Sequence, residues 1–529
     1  MTSDVVRLPS RKWSIVALGS AGMAAVLISY ALVVAVAAAC LILPVVMFVV
    51  FPLENGNLFI ARVLISAFGI AAGLTILWSI VPRRNKVEIN GVLIDLSKEP
   101  RLAKQIESIA QAMNEPMPSE VYLVGDANAF VIETSGFLGF RRRRIIGLGL
   151  PLLQMLTIAQ FRAVLAHEFG HYYAGDTRMG PWVYNTRITI ARVYENLGRK
   201  SAVISFLTRW AVVSIPYMAL MGAMRLYWNL FMRITQWISR RQEFRSDELA
   251  CHVAGSQALM EGLQGIRRCQ AALNTYWTSV VLPVAAGGFQ PQLADGFMRF
   301  MNTPHVAKAA AEFLAKQSVK ASPMDTHPPL CMRVERARNY NLSAPNHPDQ
   351  SVASDLPMIS LIDDLTTLEG GLLRRFVPDL ANKALKQVSW DSAGRELQVP
   401  RWRKQLQGYA EALSTTTLQE LPILVRDPQK LLDKAANPSA TILSQAQRDK
   451  ETLQVLYCAL ALCLLDNGWT LFCPPGIVYL ESPDTKLDPG EVINDMKTGK
   501  LSLLDWCSQC SQNGMNDWPL ARIPTPAQV

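Results

Sequence analysis

From Trp13 to Leu53 the chain carries no charged residue, and from Val63 to Val81 it again carries none. A helix crossing a bilayer needs about 20 apolar residues. The first run is too long for a signal-peptide core, and Gly19-Ser20-Ala21-Gly22 is a poor turn between two spans. It predicts one membrane helix over residues 26–51, entered by an interfacial helical stretch. The polar turn Leu53-Glu54-Asn55-Gly56-Asn57 leads to a second predicted span over residues 58–81. Arg62 lies near the start of that span, within snorkelling reach of the interface. Ala37-Ala38-Ala39-Cys40 faintly resembles a lipoprotein cleavage site, but the apolar run continues past it, which argues against cleavage. Arg7, Arg11 and Lys12 precede the pair, and Arg83, Arg84 and Lys86 follow it. Positive flanks stay inside, so both ends of this hairpin are expected in the cytoplasm.

Beyond the hairpin the pattern is mixed. Leu102, Ile106, Ile109, Ala110 and Met113 recur at helical spacing. Residues 120–124, 128–132 and 144–148 read as strands, the last two joined by a turn near Ser135-Gly136. Thr157-Ile158-Ala159-Gln160 has the form of a capping box and opens a helix predicted to run past His171 to about Gly175. Residues 196–242 contain no acid, and Trp210–Met224 is free of charge but interrupted by Pro216. Residues 225–253 predict a helix stopped by Gly255. Residues 341–358 have linker composition, rich in Ser, Pro, Asn and Asp. The region after the linker mixes helical stretches with an apolar run at 453–465, too short to span, and a hairpin around Pro474-Pro475-Gly476. Its role is not legible. The domain expectation is a membrane segment (1–85), a catalytic domain (86–340), a linker (341–358) and a C-terminal region (359–529).

Composition narrows the class. At 529 residues there is room for two or three domains. Half the residues are hydrophobic, which suits a membrane protein with large soluble parts. The net charge of +9 is concentrated in clusters beside apolar stretches. Such clusters set topology or meet anionic lipid, so the bilayer is an expected partner and nucleic acid is not. Arg141–Arg144 reads either as a solvated hairpin end or as a head-group contact. The nine cysteines form no paired framework, which suits a reducing compartment. Cys507 and Cys510 form a C-x-x-C pair, read as two packed thiols rather than a metal site.

The chemistry sits in His167-Glu168-Phe169-Gly170-His171. On a helix, residues four apart share a face, so His167 and His171 reach one metal ion while Glu168 lies beside it. H-E-x-x-H is the pattern of zinc peptidases with a glutamate general base. Two histidines leave a ligand missing. Glu243 and Asp247 share a helical face, and that pair reads either as a solvated surface or as the missing ligand with a supporting carboxylate. If the ligand lies there, the apolar stretch between His171 and Glu243 must begin and end on one side of the bilayer. A re-entrant or interfacial pair and a tight double crossing both satisfy this; interfacial placement is expected.

Several motifs in order resemble the HtpX-like membrane zinc metallopeptidases, the group that includes the type 1 CAAX prenyl proteases. They are Asn128-Ala129-Phe130; Leu165 to His171; Ser239-Arg240 followed by Glu243 and Asp247; and Thr326-His327-Pro328-Pro329-Leu330 with Arg333. The likeness covers residues 85–340 and the preceding spans. It implies an α+β, mostly helical zincin-like domain with a small sheet behind a transmembrane hairpin; the separate α+β C-terminal region read from the sequence is not explained by it. It implies one zinc ion held by His167, His171 and Glu243, with Glu168 and His327 catalytic. Asp247 and Arg333 would support the ligands. Asn128, Ala129 and Phe130 would belong to the edge strand along which a peptide lies. The implied activity is endopeptidase action on unfolded or membrane proteins at the cytoplasmic face of a bacterial inner membrane. Processing of a lipidated peptide, and a catalytically idle adaptor working through the C-terminal region, are the alternatives. Ser246 stands where the family usually has Ala. The prenyl proteases have more spans than this chain shows.

Overall fold

The structure is a computed structural model. It describes residues 13–50, 56–80, 89–134, 143–173, 176–198, 202–316, 327–343, 354–380, 383–435 and 444–522. The chain divides into two compact units, one of residues 1–268 with 313–364, the other of 269–312 with 365–529. This division departs from chain order. Residues 269–312, expected in the catalytic domain, cluster with the C-terminal region instead, and residues up to 364 belong with the first unit.

In the first unit, α1 (Trp13–Val49) and α2 (Gly56–Ile80) form an apolar pair. Their stretches Leu27–Val49 and Phe59–Ile80 are long and apolar enough to cross a membrane. α1 is one continuous helix from Trp13, so no break separates an interfacial stretch from the span: Gly19 and Gly22 are accommodated within it. The two helices approach closely because α2 presents Gly69 and Gly73. A Cβ on Gly69 would lie 2.5 Å from the Cys40 carbonyl oxygen, and one on Gly73 2.7 Å from Leu41 Cγ. Small residues four apart let helix backbones pack in this way. Leu74, Trp78 and Ile28 stay exposed, as expected for an outward lipid-facing surface. Arg62 is buried rather than lying out at an interface.

A four-stranded sheet follows, of β1 (Gly91–Ile94), β2 (Glu120–Val124), β3 (Ala129–Thr134) and β4 (Arg143–Gly149), in the order β1-β2-β4-β3. The strand expectations fall on β2, β3 and β4; the turn near Ser135-Gly136 and the residues Arg141 and Arg142 lie outside the described residues. β3 pairs antiparallel with β4 and stands at the sheet's edge. Phe130 crosses directly over Gly147, where any Cβ would meet its ring at 2.2 Å. Val121, Leu123, Ile146, Leu148 and Ala129 share the other face and are buried. α3 (Pro100–Ala112) buries Leu102, Ile106 and Ile109. It is tied by Gln105 and Ser108 to Arg162 of α5 (Ile158–Tyr173), at 2.8 Å each. Between β4 and α5 lies the short α4 (Leu150–Met155).

After α5 the chain runs through α6 (Asp176–Gly198), the short α7 (Ala202–Leu207) and the long α8 (Ala211–Ala254), which Gly255 ends at φ +90°. Near the corner, the Tyr217 hydroxyl on α8 donates to the Leu197 carbonyl of α6 at 3.2 Å. The two helices therefore fold back on each other, with Pro216 carried inside α8 rather than breaking it. Ile190, Val193 and Leu197 of α6 join Val213, Met224 and Phe231 of α8 in one core with Val33 and Ala37 of α1 and Phe68, Ala72 and Ile76 of α2. The apolar stretch expected at an interface packs against α1 and α2, leaving Ile215, Met218, Leu226 and Leu230 exposed. α9 (Ser256–Tyr276) and α10 (Leu330–Tyr340) complete the labelled helices.

The second unit is built around the helix Gln445–Asp466. Its apolar face, with Leu456, Ala459, Leu460 and Cys463, is buried among Leu413, Leu418, Met496 and Trp506. This explains the apolar run at 453–465 as a core helix. The hairpin expected around Pro474-Pro475-Gly476 is present as strands Thr470–Phe472 and Tyr479–Glu481. Gly476 has φ +87° and no room for a Cβ against Phe300. Cys510 is buried and Cys507 half-buried; burial pushes the Cys510 thiol up to about 12. No metal-ligating cluster lies there among the described residues.

Candidate metal centre

α5 begins as the capping box requires. The Thr157 Oγ1 accepts from the Gln160 N–H at 3.2 Å, and Gln160 Oε1 accepts from the Thr157 N–H at 3.1 Å. One helical turn separates His167 from His171, whose rings meet edge to face with centroids 4.9 Å apart. α5 lies against the C-terminal half of α8, and Gly170 makes the approach possible. A Cβ there would stand 3.0 Å from Ser246 Cα.

That contact brings Glu243 to the histidines. Its Oε2 is 3.5 Å from His167 Nε2, and its Oε1 is 3.5 Å from His171 Nε2. Ligand atoms of His167, His171 and Glu243 all lie within 4.8 Å of one another. Glu243 is only 3 % exposed, and its Oε2 has no hydrogen-bond partner. Arg333 Nη1 stands 3.4 Å from that oxygen as an ion pair without hydrogen-bond geometry; a buried carboxylate lacking a hydrogen bond is costly, and a cation between the three side chains would satisfy it. Two imidazoles and a carboxylate are the donor set of a catalytic zinc site. The residues present fit a metal ion.

The surrounding charges are paired. Arg333, on α10, holds Asp247 with both arms, Nη2 to Oδ1 at 2.6 Å and Nε to Oδ2 at 2.9 Å. Asp247 Oδ1 also lies 3.0 Å from His167 Nδ1, so it fixes the ring that presents Nε2 to Glu243, the usual work of a carboxylate behind a ligand histidine. Burial alone would raise the Asp247 carboxyl, but Arg333 and His167 bring it below the usual range. The same holds for Glu243: burial opposes its charge, and His167, His327 and Arg333 pull it well below the usual carboxylate range. Burial and Arg333 both oppose a charge on His167, yet Asp247 and Glu243 raise it to about 9.

The other sequence-predicted residues fall around this core. Glu168 is half-buried on α5 beside His167. His327 stands at the mouth, 60 % exposed, with Nδ1 2.9 Å from Glu243 Oε1; Asp325 and Thr326 before it lie outside the described residues. Asn128 is exposed just before β3, Ala129 is buried at its start and Phe130 covers Gly147. Ser246, the departure from the family's usual Ala, also faces the site. Its hydroxyl lies 3.3 Å from His171 Nδ1, placed to orient that ring as Asp247 orients His167. The signal was available in the spacing, because Ser246 follows Glu243 by three residues and so shares its helical face.

Residues 96–341 match the profile of peptidase family M48. Protease HtpX of Pseudomonas putida strain F1 is 29 % identical over 171 residues, 31 % of this chain and 55 % of the relative. Protease HtpX of Xylella fastidiosa strain 9a5c is 30 % identical over 179 residues, 32 % and 58 %. Protease HtpX of Pseudomonas fluorescens strain SBW25 is 27 % identical over 211 residues, 37 % and 66 %. The chain spans a little over half the length of the first of these relatives. Over residues 96–341 the chain is thus similar to peptidase family M48 and to the HtpX proteases within it.

Proposed function

We propose that this chain is a membrane-anchored zinc endopeptidase, working at the cytoplasmic membrane face on unfolded or membrane-embedded proteins. The observation that carries the reading is the juxtaposition of ligand atoms of His167, His171 and the buried Glu243 within 4.8 Å, with Glu168 on the same helix. Zinc bound there supplies a Lewis acid that lowers the pKa of water and polarises the scissile carbonyl. Glu168 takes the proton of the attacking water and passes it to the leaving amine. His327, exposed at the mouth and in contact with the Glu243 carboxylate, donates to the developing oxyanion. Asp247 keeps His167 in the tautomer that presents Nε2, and Arg333 balances the two buried carboxylates. An extended peptide adds to the free edge of β3, beginning at Asn128, Ala129 and Phe130, as a further antiparallel strand. The two spans of α1 and α2 make the chain multi-pass, and the apolar first half of α8 packs against them with α6. The basic flanks of the hairpin support the cytoplasmic orientation, and a site beside the membrane supports a role in membrane-protein quality control.

The test compares wild type with Glu168→Gln in detergent. Equal zinc content, with casein cleaved only by wild type, is expected. Equal zinc content with no cleavage by either chain removes the peptidase reading.

A further inference from the structure

The first helical turn of α5 has three N–H groups without a helical partner, and the capping box satisfies only that of Gln160. The other two are met from far along the chain. The Ile158 N–H donates to the Leu356 carbonyl at 2.9 Å, and the Ala159 N–H donates to the Ser354 carbonyl at 3.0 Å. In return the Met358 N–H donates to the Leu156 carbonyl at 2.8 Å, and Thr157 and Pro357 form a β-bridge. Residues 354–364 therefore make a strap across the start of the catalytic helix. Residues 354–358, expected as linker, are bound structure. The strap lies wholly beyond residue 341, where the family match ends.

Its far end is anchored by one side chain. Glu99 is 2 % exposed and sits at the N-cap of α3, yet it makes no cap bond there. Both its oxygens serve the strap instead. Oε2 accepts from the Asp363 N–H at 2.5 Å and Oε1 from the Asp364 N–H at 3.0 Å. Arg101 adds an ion pair to Asp363, and Met358, Leu361 and Ile362 are buried between the two anchor points. A buried carboxylate bonded to two backbone amides is a fixed point.

We propose that the strap 354–364, pinned by Glu99, sets the position of the H-E-x-x-H helix, and that Glu99 is a positioning residue for the reaction. The proposal rests on the peptidase reading for its kinetic consequence but not for its structural one. α5 is one continuous helix from Ile158 through His171, so a change in how its first turn is held would tilt His167 and Glu168 against Glu243, which stands on another helix. Displacements of this size affect turnover more than binding.

The experiment measures amide hydrogen exchange and peptide hydrolysis on the full chain in detergent, for wild type, Glu99→Ala and Glu99→Gln. In Glu99→Ala the Ile158, Ala159 and Met358 amides are expected to exchange about tenfold faster or more. Amides of the helix Gln445–Asp466 stay protected as an internal reference for folding. kcat falls about tenfold with KM within about twofold, and Glu99→Gln, which keeps one acceptor oxygen, recovers part of both losses. Exchange at Ile158 and Ala159 unchanged in Glu99→Ala overturns the proposal, as does a fall in kcat that Gln does not relieve. Should Glu99→Ala lose the reference protection, Glu99→Gln alone decides, by exchange at the same amides. A wild type that hydrolyses nothing removes the peptidase reading, while the exchange result still decides whether the strap holds the helix.

Discussion

Glu243 and Glu369 are the same residue type at the same 3 % exposure, one in each unit, yet their carboxyls move in opposite directions. Glu243 meets His167, His327 and Arg333, and these outweigh burial and hold it well below the usual range. Glu369, on the helix Leu365–Phe376, meets only backbone. It accepts from the Ala294 N–H at 2.7 Å, where the helix Leu293–Met301 begins without a side-chain cap of its own. Burial pushes Glu369 up to about 7, and the nearby Asp295 adds to the effect. Burial alone thus says nothing about a carboxylate's role. The neighbours decide whether it is kept charged for a cation or kept close to neutral as a helix cap.

The largest effect that tests this contrast is loss of the metal. Glu243→Ala is expected to abolish metal retention and peptide hydrolysis, whereas Glu369→Ala leaves both intact. Metal analysis after gel filtration reads the difference, and equal metal in both chains would break the comparison.

Next comes Arg333→Met, which leaves Asp247 and Glu243 buried without their cation. Breaking a buried pair in this way costs about 3–5 kcal/mol. The loss is expected in the first unit, read by amide exchange along α5 and α8, with the helix Gln445–Asp466 unaffected. Arg333→Lys keeps the charge but not the two-armed grip on Asp247, and should fall between. A lysine variant as stable as wild type would show that charge alone matters there.

Glu369 supplies a pH dependence. Its folded pKa, about 7, lies above its ordinary 4.5. Its contribution to stability is therefore complete below about pH 4.5 and is lost as pH rises through about 7, by at most about 3 kcal/mol. Calorimetry of the second unit's transition between pH 5 and 8 should show this slope, and Glu369→Gln should flatten it. A slope that survives the substitution belongs to another group.

The smallest expected effect concerns Ser246. Removing its hydroxyl from His171 Nδ1 in Ser246→Ala should weaken metal affinity about tenfold, the low end for partners of ligand histidines. Competition with a chelating dye measures it, and an unchanged affinity would leave Asp247 as the sole orienting group.

Much of the site was legible because it is written in local periodicity. The four-residue spacing of His167 and His171 puts them on one face, and Thr157 with Gln160 announces where that helix starts. Glu243 was legible as a candidate by the same spacing with Asp247, and by likeness as a ligand. The strands at 120–124 and 144–148 followed from apolar runs. What escaped was whatever depends on a distant partner. The stretch 202–235 is as apolar as an interfacial helix, and only its shared core with α1, α2 and α6 places it beside the membrane pair. Residues 354–358 have the composition of a linker, and their carbonyls became caps only because α5 offers unmatched N–H groups. The clustering of 269–312 with 365–529 has no local signal, since it rests on contacts between residues far apart in the chain, such as Phe300 against Gly476.

By itself, then, the sequence determined the apolar hairpin, the H-E-x-x-H helix and the candidates for its metal ligands, because helical period and residue chemistry are short-range properties. Only the tertiary structure decided which carboxylate is charged, that Ser246 faces His171 and that the catalytic helix is capped from beyond residue 341. Each of those rests on a low-dielectric contact between segments far apart in the chain, whose energy exists only once both have folded.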